Sequence, residues 1–241
     1  MADLSGMNLG RMELENFVTR QDATLEKLKL VVIGLGQAGG KMAQEFHRLG
    51  IPSYALNTAE SDLDALTIIP DDRKLLLGNI GGASKDISTG RKAILENKQQ
   101  VGKLLQEDDI KDADVAFITA GLGGGTGNGA LPTVINALSK IRAKKNYKGR
   151  PTNVAVVSIP GNWEKRGLKK NAVAGISGLN KLIESGKMGA TLIIDNEKLA
   201  KDFNQDIKNK YNIEMEWDSF GNMNVASTIL QIAIATSLPQ T

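Results

Sequence analysis

The chain has 241 residues, of which 41% are hydrophobic and 24% charged, with a formal net charge of +3. That balance suits one α/β domain, and so small a charge gives no electrostatic case for nucleic-acid binding. The lack of cysteine excludes disulfides, thiolate metal sites and cysteine nucleophiles, and a single histidine, His47, excludes a multi-histidine metal site and reads as a surface residue. No apolar run approaches the ~20 residues needed to cross a bilayer, and no signal-peptide core is present near the N-terminus, so a cytoplasmic protein is expected.

Residues 1–27 are polar and mixed, with Leu9, Met12, Leu14 and Phe17 at the spacing of a short amphipathic helix. Such a helix would pack outside the domain or order against a neighbouring subunit. Leu28-Lys29-Leu30-Val31-Val32-Ile33 reads as a buried first strand. It runs into Gly34-Leu35-Gly36-Gln37-Ala38-Gly39-Gly40, ahead of a helix over residues 41–49. Gly34, Gly36 and Gly39 satisfy the dinucleotide fingerprint, which raises a Rossmann-type NAD-dependent oxidoreductase as one reading. The acid that this reading wants on the ribose is missing: the second strand, residues 52–56, ends in Asn57-Thr58, and the first acid is Glu60.

A short helix over 61–66 and a strand over 74–77 lead to a small-residue loop, Gly81-Gly82-Ala83-Ser84-Lys85-Asp86, and residues 90–106 have a helical pattern. The apolar run Val115-Ala116-Phe117-Ile118-Thr119 then meets Gly121-Leu122-Gly123-Gly124-Gly125-Thr126-Gly127-Asn128-Gly129, six glycines in nine positions, before a helical pattern over 131–141. A strand, a glycine-rich turn and a helix make an anion cradle, because glycine permits φ > 0 and close backbone approach while the helix N-terminus directs free N–H groups at a phosphate. Thr126 adds a hydroxyl that can donate to a phosphoryl oxygen.

Residues 153–159 form a further strand, stopped by Pro160-Gly161. The helix over 165–183 interleaves Ala172, Ile176 and Leu179 with Lys165-Arg166 and Lys169-Lys170, a solvated face or one that meets phosphate or a partner. A strand over 191–194 ends in Asp195-Asn196-Glu197, followed by a helix over 199–211. The last helix, 222–238, is so rich in apolar residues (Val225, Ile229, Leu230, Ile232, Ala233, Ile234) that burial nearly all round is expected. The alternation predicts an α/β Rossmann-like parallel sheet with helices on both faces, closed by this long C-terminal helix. Residues 28–241 would form that domain and residues 1–27 an extension. Ligands of such sheets sit at the carboxyl ends of the strands.

These loops, in this order, resemble the tubulin/FtsZ superfamily. Gly123-Gly124-Gly125-Thr126-Gly127-Asn128-Gly129 is similar to its glycine signature, with Asn128 where Thr or Ser is usual, and Gly36-Gln37-Ala38-Gly39-Gly40 reads more like tubulin than like the bacterial division protein. Asn57-Thr58 resembles the second nucleotide loop, Gly82-Ala83 with Gly90-Arg91-Lys92-Ala93 the third loop and its helix, and Pro160 with Glu164 the ribose-side loop. Asp195-Asn196-Glu197 and Asn224 stand where the family contacts guanine.

The resemblance implies a GTP-binding domain of a prokaryotic or phage/plasmid-type tubulin relative (TubZ-like), a GTPase that binds GTP and GDP. It sets Gly36, Gln37, Ala38 and Lys41 against the phosphates, Gln37 nearest the γ-phosphate and any Mg²⁺, which would be held mainly through the nucleotide. Asn57, Gly82, Ala83 and Gly121 would join them. Glu164 and Pro160 would face the ribose, and the amides of Asn196 and Asn224 the guanine edge; either asparagine could instead cap a helix. No arginine matches the one that division proteins place after the ribose glutamate; Lys169 is nearest. The chain stops before the family's acidic loop, which in a head-to-tail homopolymer enters the neighbour's pocket and positions the attacking water. No catalytic set is therefore expected to be complete here, and the chain alone is expected to be nearly inactive. Segregation of plasmid or phage DNA through a DNA-bound adaptor, without direct contact to nucleic acid or membrane, is the role by analogy. A nucleotide-binding module without hydrolysis is the non-enzymatic alternative.

Overall fold

The structure, a computed structural model, describes residues 28–78, 80–204 and 216–237. The amphipathic segment expected in 1–27, the end of the helix expected over 199–211, and residue 238 lie outside the described residues.

The strands are β1 (Leu30–Leu35), β2 (Ser53–Asn57), β3 (Lys74–Leu76), β4 (Val115–Gly121), the short β5 (Asn146–Tyr147) and β6 (Arg150–Pro151), β7 (Asn153–Ile159) and β8 (Ala190–Asp195). The helices are α1 (Gly36–Arg48), α2 (Glu60–Asp64), α3 (Ile87–Glu96), α4 (Lys98–Leu104), α5 (Asp108–Lys111), α6 (Thr126–Ile141), α7 (Arg166–Glu184), α8 (Asn196–Asp202) and α9 (Trp217–Ser237). Six strands pair in the order β3-β2-β1-β4-β7-β8, all parallel, while β5 and β6 make a separate antiparallel hairpin.

Continuous apolar runs form β1, β4 and β7 because both faces of the sheet are covered, so no position can be left to water. On one face Val31, Ile33, Ile118 and Val157 meet Ile94, Leu131, Val134 and Leu179 of α3, α6 and α7. On the other, Val32, Phe117 and Val156 meet Met42 and Phe46 of α1 and Val225, Ile229 and Leu230 of α9. Phe46 stacks on Phe117 with centroids 5.9 Å apart.

Three helices differ from the sequence expectation. The one expected over 90–106 is broken at Asn97, whose side chain turns back to donate to the Ala93 carbonyl at 2.8 Å, a local bond that competes with helix continuation. α6 starts at Thr126, five residues before the expected start, and carries Pro132 inside it. α9 is buried along one side and not all round: Val225, Ala226, Leu230 and Ile234 are covered, whereas Asn224 and Ile232 are exposed. No described helix is long and apolar enough to cross a membrane.

At the amino ends of the strands, Arg142 forms a buried clamp. Its Nε donates to Asn153 Oδ1 (3.0 Å), Nη1 to the carbonyls of Ile110 (2.6 Å) and Ala113 (2.8 Å), and Nη2 to Asp114 O and Thr152 Oγ1. Burial lowers its pKa, yet every guanidinium N–H has an acceptor, which is how a cation is retained in the interior.

Candidate functional site

The strand order reverses between β1 and β4, and crevices at the carboxyl ends of parallel strands open at that point. The register aligns the ends: Leu35 pairs with Ala120, Gly121 with Ser158, and Ile159 with Asp195. A cavity of about 550 Å³ opens there. α1 and α6 both begin in its wall, at Gly36 and Thr126. The first amides of a helix have no intrahelical acceptor, so both N-termini direct N–H groups and partial positive charge toward the cavity.

The glycines of the β4–α6 turn serve packing more than turning. None from Gly121 to Gly129 is among the residues with positive φ, contrary to the expectation that they bend the chain through the left-handed region. A Cβ on Gly125 would lie 2.6 Å from the Asp86 carbonyl, one on Gly127 2.7 Å from the Leu35 carbonyl, and one on Gly121 2.8 Å from Ala38 Cβ. A Cβ on Gly90 of α3 would strike the Gly125 carbonyl in turn. Gly124 is different: its nearest neighbour would be the Gly121 carbonyl at 3.6 Å, so its open side faces the cavity. Positive φ is used instead at Gly36, Gly81 and Gly82, and at the non-glycine residues Ser84 and Lys85. That places strain in the loop that rims the cavity.

Polar groups are fixed around this cradle. Thr126 Oγ1 lies 2.6 Å from Thr58 Oγ1, buried, so donation by Thr58 leaves the Thr126 hydroxyl free to donate to a ligand. Asn57 Oδ1 accepts from the amides of Thr58 (2.8 Å) and Ala59, and its Nδ2 donates to Asp62 Oδ2 at 3.0 Å. Gln37 Nε2 donates to Asp62 Oδ1 at 3.1 Å. Asp86 caps α3, accepting from Thr89 and Ser88, and these bonds hold its carboxyl down at about 2. Glu164 Oε1 accepts from the Gly161 amide at 3.1 Å.

A second chamber of about 360 Å³ adjoins the first, and the two share Gln37, Ala38, Ser158, Glu164 and Asn196. Its further walls are Trp163, Leu199 of α8, and Trp217, Asp218 and Asn222 of α9. Asp195 caps α8 through the amides of Glu197 (2.9 Å) and Lys198, so Asn196 is the first helical residue and not the cap.

Most of the residues expected from sequence stand in the wall of the first cavity: Gly36, Gln37, Ala38, Asn57, Gly82, Ala83, Gly121, Gly123, Gly124, Gly125, Thr126, Gly127, Pro160, Glu164 and Asn196. Three do not. Lys41 lies a turn further along α1 and pairs with Asp218 at 2.8 Å, so its ammonium is directed to α9 instead of the cradle. Asn128 is buried behind the cradle, donating to the Leu122 (2.7 Å) and Asn171 (2.8 Å) carbonyls against α7. Asn224 is exposed and lines neither chamber; the asparagine that α9 does present is Asn222, two residues and about 200° away around the helix. Sequence reasoning assigned no role to Asp62 and Lys85 beside the cradle, or to Asn222 and both tryptophans in the second chamber. Only Lys85, a cation inside a small-residue loop, carried a local signal.

Among the described residues no cluster of three His, Cys, Asp or Glu could hold a metal ion. The model of the tubulin/FtsZ family, GTPase domain, matches residues 29–204. The chain is 33% identical over 191 residues to the tubulin-like protein CetZ of Pyrococcus furiosus, covering 76% of this chain and 48% of that protein. The chain therefore spans about half the length of the curated relatives it matches. Its fold is similar to CetZ2 from Haloferax volcanii in a GTPγS-bound protofilament (TM-score 0.69, 24% identity, 88% of this chain and 60% of that one). It is also similar to TubZ of Clostridium botulinum phage c-st (TM-score 0.67, 19% identity, 85% and 60%).

Proposed function

The chain belongs to the tubulin/FtsZ family, and on that premise we propose that it is the guanine-nucleotide-binding domain of a cytoplasmic, filament-forming GTPase. The observation that carries the reading is the convergence of two helix N-termini and four small-residue loops on one cavity at the β1/β4 switch point. The cradle fits a polyphosphate on its own chemistry, with amides, the Thr126 hydroxyl and Lys85 facing a concave wall whose open glycine is Gly124. In this reading Glu164 takes the ribose hydroxyls and Asn196 with Asn222, which line the adjoining chamber, take a purine edge, since an amide offers guanine both an acceptor and donors. Asn222 replaces Asn224 in this assignment. Mg²⁺ would be held chiefly by the phosphates, with Gln37 and Asp62 nearby.

The carboxylates in the cradle already accept hydrogen bonds, Asp62 from Gln37 and Asn57 and Glu164 from Gly161. By resemblance to the family, the acid that orients the attacking water is assigned to the neighbouring copy in a head-to-tail polymer, a contact that does not close on itself and generates a filament. Binding is thus complete within one chain, and hydrolysis awaits assembly. The similarity to TubZ, at 19% identity, is one of fold, so a DNA-segregating role and its adaptor are left out of this reading.

The test is titration of the chain with a fluorescent GTP analogue, displaced by GTP, GDP and NAD, with phosphate release measured on the same sample. Displacement by GTP and GDP with nearly no turnover is expected. Displacement by NAD alone would return the Rossmann dehydrogenase reading, and brisk hydrolysis by monomeric chain would overturn the division of labour. Nucleotide-dependent assembly without phosphate release would favour the non-hydrolysing module.

A further inference from the structure

Behind the cradle, two asparagine amides grip the loops that form it. Asn171, half-buried in the second turn of α7, donates through Nδ2 to the carbonyls of Lys85 (2.8 Å) and Gly123 (3.0 Å). Those carbonyls belong to separate segments of the wall, the loop over 81–86 and the β4–α6 turn. Asn128, 5% exposed in the first turn of α6, donates through Nδ2 to the Leu122 carbonyl (2.7 Å) and to the main-chain carbonyl of Asn171 (2.8 Å). Each amide NH2 has two protons and two acceptors, so the four bonds tie α6, α7 and both loops together. Space is reserved for them: a Cβ on Gly175, one turn beyond Asn171, would lie 2.8 Å from Asn128 Oδ1 and 3.0 Å from its Nδ2. Neither asparagine lines the cavity.

A trans peptide holds its C=O and N–H on opposite sides, and no described peptide bond is cis. Asn128 lies behind the wall, so drawing the Leu122 carbonyl back to it turns the Gly123 N–H towards the cavity that Gly123 lines. Drawing the Gly123 carbonyl back to Asn171 acts in the same way on the Gly124 N–H, whose acceptor within the chain is the Gly121 carbonyl at a long 3.3 Å. Glycine offers no steric resistance to the reverse orientation, in which carbonyl oxygens would face a ligand. The loop over 81–86 needs holding for a different reason. Ser84 and Lys85 have φ of 47° and 66°, values that residues with a side chain keep only where their surroundings impose them. One end of this loop is fixed by the Gly82 N–H donating to the Thr58 carbonyl (2.9 Å), the other by Asn171.

We propose that Asn128 and Asn171 form an amide latch that sets which way the cradle's peptides face, so that N–H groups and not carbonyl oxygens meet the phosphates. The inference rests on the nucleotide reading above and makes both asparagines positioning residues. They act through the Gly123 and Gly124 amides and through the Lys85 end of the neighbouring loop, and the base has no part in it.

The experiment uses the full chain and two probes, GTP and inorganic tripolyphosphate, which has no base. Asn171→Ala puts a good helix former at a half-buried position and removes both donors. Asn171→Asp keeps the shape and sets a carboxylate oxygen against two carbonyls. GTP and tripolyphosphate should weaken by the same factor, about tenfold in Asn171→Ala and more in Asn171→Asp, as expected for the loss of one or more charge-assisted hydrogen bonds. Affinities are compared at a temperature where melting curves show every variant folded. In the ¹⁵N-labelled wild type, tripolyphosphate should move the Gly123 and Gly124 amide proton resonances downfield. Asn128→Ala should reduce the Gly123 shift most, and Asn171→Ala the Gly124 shift. Wild-type affinity for both probes in Asn171→Asp overturns the inference alone. A loss confined to GTP also overturns it, by placing the effect at the base. Weaker binding of both probes with unaltered Gly123 and Gly124 shifts overturns it by making the asparagines structural. A wild-type chain that does not bind GTP overturns the nucleotide reading, and the inference with it.

Discussion

Gly124 and Gly125 are adjacent, yet alanine should act on them in opposite ways. At Gly125 the new Cβ would lie 2.6 Å from the Asp86 carbonyl, 2.7 Å from its amide and 2.9 Å from Ala83 Cβ. Two of those neighbours are backbone, in a loop already strained at Ser84 and Lys85, so they yield only by moving the start of α3. Overpacking of this kind costs about 1–3 kcal/mol, and at roughly 2–4 °C per kcal/mol for a chain of this size a mid-range cost lowers Tm by about 4–8 °C. At Gly124 the Cβ meets nothing closer than 3.6 Å and φ is not in the left-handed region. Stability should then stay within about 0.5 kcal/mol of the wild type. The methyl would stand in the cradle, however, and separate a phosphate from the turn amides. One charge-assisted hydrogen bond contributes about 1.5–3 kcal/mol, so Gly124→Ala should weaken GTP by about tenfold or more. Thermal melting by circular dichroism and titration with a fluorescent GTP analogue measure the two quantities separately. A Gly125→Ala chain that melts with the wild type, or a Gly124→Ala chain that binds like it, would refute the roles assigned to these two glycines.

Arg142→Met should test stability apart from binding. It removes five donated bonds and leaves the Ile110 and Ala113 carbonyls without a partner in the interior, at a cost of about 3 kcal/mol and a Tm lower by roughly 6–12 °C. GTP affinity should not change, because the clamp lies at the opposite ends of the strands from the cavity; a parallel loss of affinity at temperatures where the variant is folded would contradict that. Asp86 supplies a pH dependence. Hydrogen bonds from Thr89 and Ser88 lower its carboxyl from 3.8 to about 2, so its contribution to stability is present above the unfolded value and is lost as pH falls through the folded one. The difference in Tm between wild type and Asp86→Ala should be constant above about pH 5 and close between about pH 4 and pH 2. A difference that persists at pH 2 would mean that the carboxylate is not what caps α3.

The sheet was legible because a strand buried on both faces has no freedom in composition: β1, β4 and β7 read as apolar runs whatever they pack against. The loops were legible for a related reason, since close approach of backbone to backbone admits only small residues, and those stand out in sequence. What such residues approach is not written in them. Six glycines after β4 are equally consistent with bending, ligand contact and helix packing, and it took the positions of Asp86, Leu35 and Ala38 to show that packing accounts for Gly125, Gly127 and Gly121 while Gly124 faces the cavity. The same limit explains the long helix. A wholly apolar pattern signals burial but not its direction, and Asn222 and Asn224 differ only in which side of α9 they occupy, a rotation set by the seating of Val225, Ile229 and Leu230 on α1 and the sheet. Lys41 and Asp218 are 177 positions apart, as remote in sequence as a pair in this chain can be to a reader of local pattern. Their contact turns a cation next to the cradle into a strut between α1 and α9. Local pattern places the backbone that surrounds a ligand, and tertiary packing decides which side chains are left to meet it. That order makes the cradle the more readable part of this site and the chamber beside it the less.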